Sequence, residues 1–174
     1  MGFGKKLGKS EEGFIVLPVS LVCPSGEQNT NGGFETGDLT GWTVGNQKAF
    51  PEGAHIYSNG AGEGTYYCII HATISPFTYT EQDFANEVPA SCIKETSIFQ
   101  ILIRCSLAGG KLWIYLVYTD ASETEVIYTT TQDLIWETLN LKPYIEAEKT
   151  LKGIRLTNLS TAFDIQCDGV SLIP

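Results

Sequence analysis

An all-β sandwich is the fold class that this sequence predicts, and three observations predict it. Short β-branched and aromatic runs recur along the chain, separated by turns rich in Gly, Pro, Asn and Ser. No segment carries a sustained 3.6-residue apolar period, so nothing helical beyond one turn at 143–149 is expected. Aromatic residues make up 11% and charged residues only 18%, with Thr, Ser and Gly abundant and one Met, a profile commoner in extracellular β-proteins than in cytosolic enzymes. At 174 residues the chain is one domain by length, able to bury roughly 70% of its unfolded surface without metal or disulfide help.

Residues 1–10 are rich in Gly and Lys and are expected to be disordered in an isolated monomer. Phe14-Ile15-Val16-Leu17-Pro18-Val19-Ser20-Leu21-Val22 then reads as an extra extended strand, which Pro18 assigns to an edge or a groove. As a signal peptide this stretch scores poorly, because Glu11 and Glu12 sit where the basic region should end, Pro18 interrupts it, and no small-x-small site precedes Cys23. Residues 24–30 read as a linker, so the expected organisation is an N-terminal extension over 1–28 and a sandwich domain over 29–174.

The domain opens on Asn31-Gly32-Gly33-Phe34-Glu35-Thr36-Gly37-Asp38-Leu39-Thr40-Gly41-Trp42, where four glycines in twelve residues make a shaped loop that enters a strand. Phe34 and Trp42 are its apolar pins. Glu35, beside a buried anchor, must be paired or bind a cation. Residues 43–74 read as strand, loop, strand, with 60–64 as the turn into Tyr66-Tyr67, and 75–91 as a long irregular insertion. Residues 98–104 and 111–119 are expected to form a hairpin about Ala108-Gly109-Gly110. In the second of these strands Trp113, Tyr115 and Val117 share one face and Leu112, Ile114, Leu116 and Tyr118 the other, so it is central. Further strands are expected at 125–130, 136–141, 151–158 and 163–172, with Trp42 and Trp136 in the core.

A net charge of −9 and a pI near 4.6 argue against nucleic acid or membrane as partner. Cys23, Cys68, Cys92, Cys105 and Cys167 show no Cys-x-x-Cys pattern, and His55 and His71 are separated, which argues against zinc. In an oxidising compartment five cysteines allow two internal bridges with one thiol left for pairing between chains; the plainer reading is that most are buried free thiols. Cys23, beside Pro24 and Gly26, is the one that no core is expected to cover. Neither histidine has a nucleophile motif around it, and no phosphate-cradling glycine loop occurs, so no catalytic residue is named. Asn158-Leu159-Ser160 matches a glycosylation sequon.

The opening Asn31–Trp42 motif, together with Cys167-Asp168-Gly169-Val170-Ser171-Leu172, resembles the first and last strands of jelly-roll carbohydrate-binding modules of the galactose-binding type. Gly64-Thr65-Tyr66-Tyr67-Cys68-Ile69-Ile70, Phe99-Gln100-Ile101-Leu102-Ile103 and Leu112-Trp113-Ile114-Tyr115-Leu116 resemble the interior strands of the same family, in the same order. The resemblance covers about residues 29–174 and implies a jelly-roll β-sandwich. It also implies a Ca²⁺ site built by Glu35, Asp168 and the carbonyl of Gly33, although Gly169 stands where the family often has a second Asp. A glycan ligand needs exposed rings to stack on, and Tyr66, Phe77, Tyr79, Trp113 and Tyr115 are the candidates, against the plainer reading that strand aromatics are core.

Two functions of different class follow. The first is a non-enzymatic structural subunit, extracellular or on a spore, virion or cell surface, that polymerises into a fibre or tube. In it Phe14, Ile15, Val16, Leu17, Val19 and Leu21 would add as a donor strand to a neighbouring copy, with Cys23 as the lock. The same strand could instead fold back on its own sheet. The second is a calcium-stabilised glycan-binding module with an open aromatic groove.

Overall fold

The computed structural model describes residues 22–49, 52–72, 77–160 and 162–174. Ten strands form two antiparallel five-stranded sheets: β1 (Thr43–Gly45), β2 (Ala54–Ser58), β3 (Tyr66–Ile70), β4 (Tyr79–Pro89), β5 (Ile98–Cys105), β6 (Lys111–Tyr118), β7 (Glu123–Thr129), β8 (Glu137–Asn140), β9 (Thr150–Thr157) and β10 (Ile165–Ile173). The first sheet has the order β1-β4-β9-β6-β7 and the second β2-β3-β10-β5-β8. Helical geometry among the described residues is confined to 3-10 turns at Ala90–Cys92 and Lys142–Tyr144. This is the jelly-roll sandwich expected from the resemblance.

Period-2 alternation builds the core from both sheets. In β6, Leu112, Ile114, Leu116 and Tyr118 are buried while Trp113, Tyr115 and Val117 are half-buried on the opposite side. Ile101 and Ile103 of β5, Leu151, Ile154 and Leu156 of β9, and Ile165 and Cys167 of β10 complete one apolar cluster with them. Each fully buried Leu or Ile contributes on the order of 1.5–3 kcal/mol before entropy is charged.

The opening loop docks this cluster to the chain's last strand. Phe34 is fully buried and stacks on Trp42 with ring centroids 5.3 Å apart. Phe34 has a φ of 56°, a left-handed conformation that costs a non-glycine residue about 1–2 kcal/mol. Asn31 organises the turn: its Oδ1 accepts from Thr36 N, its Nδ2 donates to the Asp38 and Thr40 carbonyls, and its own carbonyl accepts from Phe34 N and Trp42 Nε1. The Gly32 carbonyl accepts from Val170 N at 3.1 Å, and a Cβ on Gly32 would fall 1.9 Å from the Val170 carbonyl oxygen. Only glycine permits that approach.

Several expectations are corrected. Within the stretch expected as an irregular insertion at 75–91, residues 79–89 form β4. Its inward positions include the polar Thr80 and Gln82, so the apolar alternation that marks a strand is missing; Gln82 is held instead by Thr30 and by the Gly41 carbonyl. β5 and β6 are not a hairpin, since they lie in different sheets and the 106–110 segment crosses between them. Trp136 is not in the core but lies over the outer face of the second sheet, against Arg104 and Tyr67. Cys23 is not free for another chain: it is bonded to Cys92 across 69 positions of sequence, which leaves Cys68, Cys105 and Cys167 as buried thiols. The donor segment Phe14, Ile15, Val16, Leu17, Val19 and Leu21 lies outside the described residues. Asn158 is fully buried with Nδ2 donating to the Ile70 and Phe163 carbonyls, so the sequon is a structural pin and not an open acceptor.

Candidate functional site

Strand register places three of the five aromatic candidates on one surface. On the outer face of the first sheet, Gly45, Tyr79, Thr157, Trp113 and Ile127 form one row across β1, β4, β9, β6 and β7. Thr43, Glu81, Arg155, Tyr115 and Glu125 form the next row, and Asp83, Gly153, Val117 and Glu123 a third. Tyr79 and Trp113 each pair with Thr157, and Tyr115 follows Trp113 by two residues on β6, so the three rings share one face although Tyr79 is distant in sequence.

Arg155 is the centre of this face. Its Nη2 donates to Glu123 Oε2 at 2.6 Å, and its Nη1 lies 3.4 Å from Glu81 Oε2. The guanidinium also sits 4.6 Å from the Tyr115 ring centroid and 5.6 Å from that of Tyr79. Arg155 is a planar cation held between two rings and two carboxylates. Tyr115 donates its hydroxyl to Glu125 Oε2 at 3.0 Å; burial, then that bond, pushes its pKa up, so the phenol stays protonated. Tyr79 lies across β1, where a Cβ on Gly45 would meet its Cζ at 2.0 Å. Glycine at this position lets the ring lie flat. Ile127, 50% exposed beside Trp113, extends the apolar surface to the sheet edge.

The other two aromatic candidates are elsewhere. Tyr66 is on β3 of the second sheet, facing the core side, with its ring against Gly37. Phe77 precedes β4, half-buried, and its carbonyl accepts from Asn46 Nδ2.

Glu35 and Asp168 meet at the end of the sandwich, where the opening loop runs beside β10. Glu35 accepts from Thr65 N and Tyr66 N, while Asp168 Oδ2 accepts from Gly62 N and Glu63 N and its Oδ1 from Gly169 N. The two carboxylates thus clamp the 62–66 segment at its two ends, Asp168 at Gly62 and Glu63, and Glu35 at Thr65 and Tyr66. Gly64 is required there, because a Cβ would fall 2.4 Å from the Glu35 carboxyl carbon. Asp168 is fully buried, and burial pushes its carboxyl up to about 6 against the three N–H bonds, which favour the charged form. A Cβ on Gly33 would lie 3.8 Å from Asp168 Oδ1 and 3.7 Å from Glu35 Cγ, so Gly33 borders the side chains of both residues. A cleft of about 440 Å³ opens beside them, lined by Glu27, Asn29, Gly33, Glu35 and Glu63 among others. Asn29 is only 8% exposed, and neither its Oδ1 nor its Nδ2 has a hydrogen-bond partner there.

Sequence reasoning missed Arg155, Glu81, Glu123 and Glu125. No local pattern marks them; only the cross-strand register of β4, β9, β6 and β7 brings them together.

No protein-family model matches the chain, and no curated protein matches it. Solved structures do. The chain is similar to TmCBM61 in complex with β-1,4-galactotriose, with a TM-score of 0.51 and 18% identity over 86% of this chain and 99% of that one. It is similar to a family 16 carbohydrate-binding module, with a TM-score of 0.52 and 17% identity over 84% of this chain and 99% of that one. A tandem of two family 22 modules from Xyn10C of Paenibacillus barcinonensis aligns with a TM-score of 0.53 and 12% identity, over 89% of this chain and 46% of that one. At these identities the likeness establishes the fold, the jelly-roll sandwich of carbohydrate-binding modules.

Proposed function

We propose that this chain is a non-catalytic, extracellular module that binds a neutral polysaccharide laid across the outer face of the first sheet. The observation that carries this reading is the grouping of Tyr79, Trp113 and Tyr115 around Arg155 on a half-open sheet face. Flat rings stack on the C–H faces of pyranoses, and the surrounding Glu81, Glu123, Glu125 and Arg155 supply donors and acceptors for hydroxyls. The charge on this face selects against acidic glycans. The face carries four carboxylates, Glu81, Asp83, Glu123 and Glu125, against three cations, Arg155, Lys152 and Lys111, and Arg155 and Lys152 are already ion-paired, with Glu81 and Glu123 and with Asp83. A uronate would meet the acidic side of this balance, with Lys111 at the end of β6 as its one counter-charge outside those ion pairs among the described residues of the face. The solved modules of this fold agree in kind, one of them holding a galactotriose.

Affinity electrophoresis and calorimetry against β-galactan, xylan, β-glucan and polygalacturonate test the reading. Binding to a neutral polymer that falls at least tenfold in Trp113→Ala and Tyr115→Ala is expected. Retention of binding in both variants would place the ligand elsewhere. Strand donation between copies draws nothing from the described residues, since Cys23 is closed onto Cys92.

Calcium belongs to the same reading as a stabiliser of the sandwich end. Among the described residues no group of three or more His, Cys, Asp or Glu side chains is arranged for a metal, so an ion here would draw on carbonyl and amide oxygens as well. The donor chemistry fits: Glu35, Asp168 and the Gly33 carbonyl are hard oxygens, and Asn29 adds a buried amide without a partner. The ion would neutralise the two clamp carboxylates. A rise in melting temperature with calcium, reversed by chelator and lost in Glu35→Gln, is the expected result; no response to calcium would rule the site out.

A further inference from the structure

We propose that Cys68 and Cys167 are the two halves of a latent second disulfide that staples β3 to β10 inside the second sheet. The two residues are direct partners in the antiparallel register, Cys167 opposite Cys68. Both side chains belong to the buried core cluster, so they leave their strands on the same side of the sheet. Residues directly opposite in an antiparallel pair have Cα atoms about 4.5–5.5 Å apart, inside the roughly 4.4–6.8 Å span that a disulfide bridges. Closing it requires side-chain rotation and no movement of strand register. Cys105, the third buried thiol, is excluded: it is opposite Ile165, and its Sγ–H donates to the Asp164 carbonyl at 3.3 Å.

The closed native state resists this oxidation. Burial pushes the Cys68 thiol up to about 12, so its thiolate is scarce while the sheet is intact. The bridge forms when β3 is transiently exposed, and β3 is separated from the sheet edge by β2 alone. The oxidant is a small-molecule disulfide such as oxidised glutathione. One cysteine thiolate attacks it and expels a glutathione thiolate, leaving a mixed disulfide. The second cysteine thiolate then attacks the protein sulfur and expels the second glutathione. Two protein thiols lose two electrons and two protons, and one glutathione disulfide becomes two thiols.

The position gives the bridge a structural consequence. Cys167 immediately precedes Asp168, and Cys68 lies two residues beyond Tyr66, whose amide Glu35 holds. A covalent link at this pair would fix the base of the clamp independently of any ion at its tip.

The test is to fold the full chain in glutathione buffers ranging from mostly reduced to mostly oxidised. Each product is then alkylated in denaturant and mapped without reduction by mass spectrometry. At the oxidised end we expect a linked peptide pair containing positions 68 and 167, a single alkylated cysteine at Cys105, and a melting temperature about 5–10 °C higher than that of the form with Cys23–Cys92 alone. Cys105→Ala should give the same linked pair. Alkylation of Cys68, Cys105 and Cys167 at every glutathione ratio would overturn the proposal, as would a peptide joining Cys105 to either partner. Cys167→Ala should retain an alkylatable Cys68; if that variant does not fold, the wild-type and Cys105→Ala maps decide.

Discussion

Gly45→Ala is the sharpest test of the sheet face as a stacking platform, because it disturbs a ring without touching the ring's own residue. A Cβ at this position would fall 2.0 Å from Tyr79 Cζ, 2.2 Å from Cε1 and 2.3 Å from the hydroxyl oxygen. Carbon contacts of that length do not occur, so the Tyr79 ring must leave its place over β1. The fold should barely notice. Gly45 is the last residue of a three-residue edge strand, its φ is not in the left-handed region, and alanine restricts the unfolded chain. A change in melting temperature of no more than about 2 °C is expected. Binding should change much more. Stacking a tyrosine on a sugar face removes about 60–80 Å² of apolar surface from water, worth about 1.5–2 kcal/mol, or roughly ten- to thirtyfold in Kd. Calorimetry with the best ligand of the panel should show Gly45→Ala and Tyr79→Ala weakened to a similar degree, and the double variant no weaker than either. Full affinity in Gly45→Ala beside a weakened Tyr79→Ala would show that the flat ring is not the binding conformation. Full affinity in both would remove Tyr79 from the site.

Arg155→Lys should lose binding at least tenfold, as Arg155→Ala does, because an ammonium cannot span Glu81 and Glu123 while stacking on Tyr115; rescue by lysine would reduce the role to charge alone. Replacing Cys23 and Cys92 by serine should cost about 2–4 kcal/mol, or about 5–10 °C in Tm by calorimetry, with glycan affinity unchanged well below the transition; an unchanged melt would mean that the clasp does not constrain the unfolded chain. In protein folded without added disulfide, no thiol should react with an aromatic disulfide reagent at pH 8, and Cys68, Cys105 and Cys167 should react after denaturation, since burial holds Cys68 at about 12; rapid reaction of the native chain would contradict its packing. Asp168 titrates at about 6 when folded against 3.8 for the free group, so between these values the native chain holds a proton that the unfolded chain releases. In chelator, urea melts should therefore show stability falling as pH rises from about 4 to 6, by at most about 3 kcal/mol, and a slope that persists in Asp168→Asn would assign it to another group.

What the sequence disclosed was the part of the fold written in apolar alternation and in glycine. β6 was legible because its inward row is Leu112, Ile114, Leu116 and Tyr118. The opening loop was legible because Phe34 and Trp42 flank glycines that only a shaped turn requires. β4 was hidden because it buries Thr80 and Gln82; the cost of burying Gln82 is met by hydrogen bonds with Thr30, far away in sequence, whereas Thr80 Oγ1 has no partner among the described residues. The crossing of 106–110 between sheets was hidden for a related reason: a glycine-containing connection between two apolar strands has the same local chemistry whether they pair or face each other. At the site, periodicity put Trp113 and Tyr115 on one face, but nothing in one strand says whether that face is covered. Arg155 acquires its role only through its partners on β4, β6 and β7.

Under the proposed function, recognition and cohesion are divided between the two sheets. The proposed binding face with Tyr79, Trp113 and Tyr115 belongs to the first sheet, whereas the clamp carboxylates hold the approach to β3 from the opening loop and from β10 of the second. The Cys23–Cys92 bond ties the start of the described chain to the 3-10 turn after β4, away from the rows that carry Tyr79 and Arg155. A flat platform of three rings has little depth with which to discriminate, so its selectivity must come from rings and charges held at fixed spacing. The ion pairs of Arg155 fix that spacing locally, and core packing fixes the strands beneath it. It follows that loosening the clamp should lower the temperature at which the module unfolds without altering the affinity of molecules that remain folded. Loosening Arg155 should do the reverse. That separation is what a rigid sandwich offers a shallow binding face: the ligand surface can vary in its outward residues while the inward rows and the end clamps hold the frame.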